Sequence, residues 1–139
     1  SDLKGITLNT NLVANMIDEM PAFFIAASLA DGVTKVAEAK ELRTKESDRL
    51  QVMSEALNSF GVKFRLERDG ILINGLGKEG KFKGAEIDSH GDHRIAMASS
   101  IGSLRTDSET TILDCLNVDT SFPNFIEVCK EVGIEIESI

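Results

Sequence analysis

Apolar residues recur at the spacing of a helix in three parts of the chain. In the segment 45–60 they fall on one face: Leu50, Met53, Leu57 and Phe60. Thr44 can accept a hydrogen bond from the first free N–H groups, so we predict that it caps this helix. A short helix over 22–30 follows Pro21 and has almost no polar face, which is typical of a buried helix. A third helix is predicted over 92–104, with one apolar stripe: Met97, Ile101 and Leu104.

Strands are predicted between these helices. Apolar and charged residues alternate over 62–67, and the turn residues Asp69-Gly70 lead into a second apolar run over 71–74, which together predict a hairpin. Pro123 is predicted to begin a last helix. Further short strands are predicted in the remaining apolar segments: 3–10, 33–37, 85–88, 110–113 and 134–136.

The predicted elements form a repeat. Strand, helix, strand, helix and hairpin follow one another over roughly residues 1–76, and a similar order returns over roughly 77–139, after a loop rich in Gly and Lys begins at 75. Because the helices are apolar and the strands have one polar face, we expect the helices inside and the sheets outside. The sequence therefore predicts an α/β protein built from two βαβαβ-like units in tandem.

Composition limits the classes of function. The 139 residues are 42% hydrophobic, which allows one domain with a real core. The net charge of −8 disfavours nucleic acid or an anionic membrane as a partner, and there is no run of 18 apolar residues. Cys115 and Cys129 are the only cysteines and lack metal-ligand spacing, so we predict reduced thiols in a cytoplasmic protein without a bound metal. No signal peptide is visible.

Charged residues gather at the start of the longest predicted helix. Lys45 and Arg49 are four residues apart and share one face, beside Glu46. The free N–H groups and the positive end of the helix dipole are at the same place, which favours a bound anion. An ordinary solvated helix start is the alternative, but a lysine there opposes the dipole. Arg43 and Arg94 are further candidates for a basic patch that attracts an anionic substrate.

Three motifs resemble those of EPSP synthases, the 3-phosphoshikimate enolpyruvyl transferases of the shikimate pathway. Arg-Thr-Lys-Glu-Ser-Asp-Arg-Leu at 43–50 is similar to a family signature, Asp-His-Arg-Ile-Ala-Met at 92–97 resembles a second, and Ile-Asp-Glu-Met-Pro at 17–21 resembles a third. They occur in the family's order, and the resemblance covers nearly the whole chain. It implies an inside-out α/β fold of repeated βαβαββ units, with this chain holding about two of the three units of one domain.

The resemblance also implies a reaction in aromatic amino acid and chorismate biosynthesis. These transferases move the enolpyruvyl group of phosphoenolpyruvate to the 5-hydroxyl of shikimate 3-phosphate and release phosphate, by addition and then elimination. No cofactor is implied. Both substrates are polyanions, so the site must gather several cations and N–H groups. One group must also accept the hydroxyl proton, and one must protonate the methylene carbon.

Two carboxylates match the family's catalytic positions. Asp18 matches the carboxylate near the target hydroxyl, which is both a substrate contact and the favoured base. Glu46 matches the glutamate that exchanges a proton with the methylene carbon. Judged without the resemblance, each acid can equally stand at a helix start because it favours the dipole.

Three cations match the family's substrate contacts, and His93 is a further, second-rank candidate. Lys45 matches the lysine that contacts shikimate 3-phosphate, and Arg49 and Arg94 match the two arginines that bind phosphoenolpyruvate. The planar fork of arginine suits a carboxylate or phosphate. His93 could donate to a phosphate, although a single histidine is more often structural.

The chain also departs from the family in places. Glu41 stands where some members have Asn, and Thr120 stands where some have a substrate-binding Lys, so we assign no role to Thr120. Members have a second domain, whose motifs are absent here. We therefore expect a C-terminal fragment that carries half a site, is inactive alone, and has the missing N-terminal domain as its partner. The alternatives are a fragment of a UDP-sugar enolpyruvyl transferase and a non-catalytic anion-binding or assembly module.

Overall fold

The computed structural model describes residues 2–139. These residues form six α-helices, two short 3₁₀ helices and five strands. In chain order they are α1 (Thr10–Asn15), α2 (Met20–Ser28), β1 (Val33–Val36), a 3₁₀ helix (Lys40–Thr44), α3 (Arg49–Ser59), β2 (Lys63–Leu66), β3 (Ile71–Asn74), β4 (Glu86–Asp88), α4 (His93–Gly102), a 3₁₀ helix (Ser103–Arg105), β5 (Thr111–Leu113), α5 (Leu116–Ser121) and α6 (Phe125–Glu131). No helix in this range is long and apolar enough to cross a membrane.

The strands form two sheets. β3 lies between β1 and β2 and is antiparallel to both, whereas β4 and β5 pair in parallel. The predicted hairpin joins β2 to β3, and the Glu67 N–H donates to the Gly70 carbonyl oxygen at 2.8 Å across its turn. The loop that begins at 75 then leads to the second sheet.

Helices α2, α3 and α4 pack against one another, and the sheets lie on their outer sides. In the three-stranded sheet Val36, Ile71 and Ile73 are buried against the helices, while Lys63 and Arg65 face solvent. The predicted apolar face of α3 is fully buried, which confirms that part of the prediction. Its residues are Leu50, Met53, Leu57 and Phe60. The mixed α/β fold with inner helices is therefore present.

Helix α2 is not buried on all sides, so the prediction of a fully buried helix over 22–30 is wrong. Met20 and Phe24 are inaccessible to solvent, but Ala22 and Ala26 are exposed. The predicted stripe of α4 is also largely open, since Ile101 is 44% exposed. The two helices flank a groove of about 280 Å³, whose apolar wall comprises Pro21, Ala22, Ile25, Met97, Ala98 and Ile101. We refer to it below as the α2–α4 groove.

Helix α3 begins four residues later than predicted. Its N-cap is Asp48, whose side chain accepts the Gln51 N–H at 3.0 Å, whereas Thr44 ends the preceding 3₁₀ helix. Lys45 is extended, with φ −95° and ψ −156°. Lys45 and Arg49 therefore do not share a helical face, because only Arg49 lies in the helix.

Two predicted strands are wrong. The segment 3–8 runs parallel to β1 but makes isolated bridges rather than a continuous ladder: Lys4 with Asp31 and Thr7 with Lys35. The register breaks because one segment advances three residues where the other advances four, past Gly32 at φ +94°. The segment 134–136 pairs with no strand among the described residues. Helix α5 is absent from the sequence prediction, and α6 begins at Phe125 rather than Pro123.

Candidate functional site

The side chain of Arg49 lies at the centre of the candidate site. It comes from the first residue of α3 and has no solvent-exposed surface. Its guanidinium donates to Asp92 Oδ2 at 2.8 Å, to Asp18 Oδ1 at 3.0 Å and to Glu46 Oε2 at 2.6 Å. Nη1 also donates to the Ile17 carbonyl oxygen at 3.3 Å. A buried guanidinium requires such partners because an unpaired buried charge is strongly destabilising.

Asp92 connects Arg49 to the start of α4. Its buried carboxylate accepts the Arg94 backbone N–H at Oδ1, at 3.0 Å, and is thereby the N-cap of α4. Oδ2 accepts from Arg49 Nε and from the Ser47 hydroxyl, the latter at 3.1 Å. One carboxylate therefore joins the segment before α3 to α4. The sequence pattern assigns no role to Asp92 or Ser47, although an aspartate at the start of a predicted helix indicates a cap.

Asp18 bridges the two arginines that the family motifs single out. It lies in the turn between α1 and α2, and its Oδ1 and Oδ2 contact Arg49 Nη1 and Arg94 Nη2 at 3.0 and 3.2 Å. Arg94 Nη1 also donates to the Asp18 carbonyl oxygen at 3.2 Å. The hydrogen bond from Arg49 lowers the pKa of Asp18, the charges of Arg94 and Lys45 act in the same direction, and partial desolvation opposes them. Asp18 is therefore held as a carboxylate.

The structure brings most of the predicted site residues together. Four are joined by ion pairs: Asp18, Glu46, Arg49 and Arg94. Lys45 is exposed beside Glu46, and its charge acts on Asp18. His93 is half-buried in the first turn of α4, next to Arg94. The catalytic and substrate-binding roles assigned to these six residues stay predictions.

Arg43 does not belong to this cluster. Its guanidinium donates to the Arg68 and Glu67 carbonyl oxygens at 2.6 and 2.9 Å, and it pairs with Asp48 at 2.8 Å. It therefore links the N-cap of α3 to the β2–β3 hairpin. Of the other three cations, Lys45 is exposed, Arg94 is partly exposed and Arg49 is inaccessible to solvent.

The fold and the site define an α/β protein in which a buried arginine at the start of α3 is held by three carboxylates. A sequence model described as EPSP synthase (3-phosphoshikimate 1-carboxyvinyltransferase) matches residues 2–129. The 3-phosphoshikimate 1-carboxyvinyltransferase of Methylococcus capsulatus is 48% identical over 136 residues, and that of Hydrogenovibrio crunogenus is 49% identical over 139. These alignments cover 98% and 100% of this chain. The chain belongs to the EPSP synthase family.

Solved structures agree with this assignment. A 2.37 Å structure of EPSP synthase from Acinetobacter baumannii superposes with a TM-score of 0.94 at 46% identity, and covers 98% of this chain. A second structure of EPSP synthase from that organism gives a TM-score of 0.91 at 44% identity. The chain spans 30% and 31% of the length of the two curated relatives, and 32% of the first solved chain.

The ion pairs of Asp18 lead to a pH prediction. Because its folded-state pKa lies below the ordinary value of 3.8, the stabilisation is complete above that value and is lost as the pH falls through the folded-state pKa. We expect the ¹³C carboxyl resonance of Asp18 to titrate with a midpoint below 3.8. The Arg94→Gln variant should raise that midpoint. A midpoint at or above 3.8 in the unsubstituted chain would contradict the bridged geometry.

Proposed function

We propose that this chain is part of an EPSP synthase, which transfers the enolpyruvyl group of phosphoenolpyruvate to the 5-hydroxyl of shikimate 3-phosphate and releases phosphate. The observation that carries the proposal is the joining of Asp18, Glu46, Arg49 and Arg94 by ion pairs in a chain of this family. The first three positions lie within two motifs, 17–21 and 43–50, that are remote in sequence and meet at one place. The matched relatives and structures all carry the EPSP synthase description, which favours it over a UDP-sugar enolpyruvyl transferase.

The cations are proposed to bind the two anionic substrates. Arg94 and Arg49 bind phosphoenolpyruvate, because a guanidinium can donate two parallel hydrogen bonds to a carboxylate or phosphate. Lys45 contacts the phosphate of shikimate 3-phosphate as an exposed point charge, and His93 is a second donor from the start of α4.

The carboxylates are proposed to move the protons. Asp18 accepts the proton of the 5-hydroxyl, and its lowered pKa keeps it ionised at neutral pH, as a base must be. Glu46 exchanges a proton with the methylene carbon of phosphoenolpyruvate. Its contact with Arg49 Nη2 fixes the carboxylate, while half of the side chain remains open to an incoming substrate.

The activity is proposed for a longer protein. Since the chain spans about 30% of its curated relatives, we expect that the remaining part of such a protein completes the site, and that the 139-residue chain alone does not release phosphate from the two substrates. We therefore propose that the isolated chain binds anions but does not catalyse the reaction. We also propose a cytoplasmic location, which the two free thiols, Cys115 and Cys129, support.

Two conservative substitutions test the proposed binding roles. In a full-length enzyme carrying this sequence, Arg94→Lys and Arg49→Lys should each weaken phosphoenolpyruvate binding by about 1–3 kcal/mol, because a bidentate fork becomes a point charge. Isothermal titration calorimetry measures the change. Arg43→Lys is the matched control, since the Arg43 guanidinium binds the hairpin instead. Unchanged affinity in both site variants would exclude direct contact.

A further inference from the structure

The carboxylate of Asp18 holds the two arginines in the manner of a bound anion. Each of its oxygens contacts a different guanidinium, Oδ1 that of Arg49 and Oδ2 that of Arg94, at 3.0 and 3.2 Å. The two arginines come from different helices, α3 and α4, so the carboxylate bridges them. A substrate carboxylate or phosphate that binds the pair needs the same N–H donors. Asp18 and such an anion therefore compete.

The exposure of the carboxylates indicates which one an anion can displace. Arg49 is inaccessible, so an anion reaches it only if one of its acidic partners moves. Asp92 is also fully buried and holds the N-terminus of α4, whereas the side chains of Asp18 and Glu46 are 46% and 51% exposed. Of these two, Asp18 alone also contacts Arg94. Its withdrawal frees donors on both arginines at once.

There is room for the withdrawn carboxylate. Asp18 lies in a turn, and its main-chain oxygen stays anchored by Arg94 Nη1, so rotation of the side chain is sufficient. Asp18, Glu19 and Arg94 line one end of the α2–α4 groove, which has a volume of about 280 Å³. The side chain can therefore turn into open space without disturbing the buried contact between Arg49 and Asp92.

We propose that Asp18 is an internal occupant of the anion site, and that the carboxylate or phosphate of a substrate displaces it from Arg49 and Arg94. The displacement couples binding to catalysis. A carboxylate that loses two guanidinium partners binds a proton more strongly, so Asp18 becomes a better base when the anion arrives. The inference rests on the proposed function for the identity of the natural anion, but the competition itself requires only the geometry.

The competition has a measurable cost in affinity. The apparent dissociation constant of an anion is the intrinsic constant divided by the fraction of molecules in which the site is free. If the bridged state is populated about nine times in ten, removal of the competing carboxylate tightens binding about tenfold. Loss of a nearby charge that does not bridge the arginines has a smaller, screened effect.

Titration of the 139-residue chain with inorganic phosphate tests the proposal. The Nε–H resonances of Arg49 and Arg94 report binding by NMR, at constant ionic strength. We expect Asp18→Asn to tighten phosphate binding about tenfold relative to the unsubstituted chain. The matched control is Glu19→Gln, which removes the same charge one residue away. Glu19 lines the same groove and forms no ion pair among residues 2–139, so its loss should change affinity by about twofold or less.

Three results would overturn the proposal. They are an effect of Asp18→Asn no larger than that of Glu19→Gln, weaker binding in Asp18→Asn, and no phosphate binding by either the unsubstituted chain or Asp18→Asn. A second measurement does not depend on the folding of any variant: phosphate should shift the ¹³C carboxyl resonance of Asp18 in the unsubstituted chain, and an unmoved resonance at saturation contradicts displacement. None of these measurements uses turnover. A failure of the proposed enzymatic function in a full-length enzyme is therefore a separate result.

Discussion

Replacement of Asp92 by alanine should lower the free energy of unfolding by about 4 kcal/mol. The largest part is the loss of a buried partner of Arg49, which costs about 3–5 kcal/mol when a buried charge is left uncompensated. We expect the lower end of that range because Asp18 and Glu46 still contact the guanidinium. The lost N-cap of α4 contributes about 1 kcal/mol more. Urea unfolding followed by circular dichroism measures the change.

Two further variants separate the roles of Asp92. Asp92→Asn keeps an effective capping side chain but removes the charge, so it should recover about 1 kcal/mol of the loss caused by alanine. Asp48→Ala is the matched control, because Asp48 caps α3 through the Gln51 N–H and pairs only with the partly exposed Arg43. If Asp92→Ala lowers the free energy of unfolding by no more than Asp48→Ala does, the buried ion pair contributes no extra stability.

In a full-length enzyme carrying this sequence, Glu46→Gln should reduce turnover by roughly 100-fold with little change in substrate affinity. Glutamine can still accept a hydrogen bond from Arg49 Nη2, so the geometry is kept while the exchangeable proton is lost. Steady-state kinetics with both substrates measures the effect. The change should fall on kcat rather than on KM, because Glu46 is proposed to act on the proton in the transition state and not in substrate binding.

Glu55→Gln provides the control for this experiment. It makes the same chemical change on the outer side of α3, where Glu55 contacts Gln51 and His90 and does not contact Arg49. We expect turnover close to that of the unsubstituted enzyme. Wild-type turnover in Glu46→Gln itself would remove Glu46 from the proposed mechanism.

The inner helices could be predicted from the sequence, because burial of one face makes apolar residues recur at the helical period. The apolar face of α3 is one case, and the hairpin at Asp69-Gly70 is another, since its turn chemistry is local. The first residue of α3 was harder to predict, because Thr44 and Asp48 both have side chains that can cap a helix. The pair Asp48 and Gln51 has the spacing of a capping box and was the better signal. The irregular pairing of 3–8 depends on a distant partner and has no local signature.

The candidate site could be predicted from the sequence only in part. The family motifs identified residues that the fold joins, yet the pattern does not indicate that Arg49 is buried or that Asp92 holds it. That contact connects positions 43 residues apart, and charge alone does not distinguish a ligand contact from an internal ion pair. Arg43 shows the same difficulty, because a cation in the motif proves to bind the hairpin backbone.

The α2–α4 groove affects how solvent acts on the ion pair between Asp18 and Arg94. Its apolar wall leads directly to Asp18 and Arg94, whose ion pair is partly exposed to water at that end. Any surface that covers Ala22 and Ile101 displaces this water and lowers the effective dielectric around the pair. The attraction between the charges then increases, and dissolved ions screen it less. We therefore expect added salt to weaken the proposed anion binding less steeply when the groove is covered than when it is open.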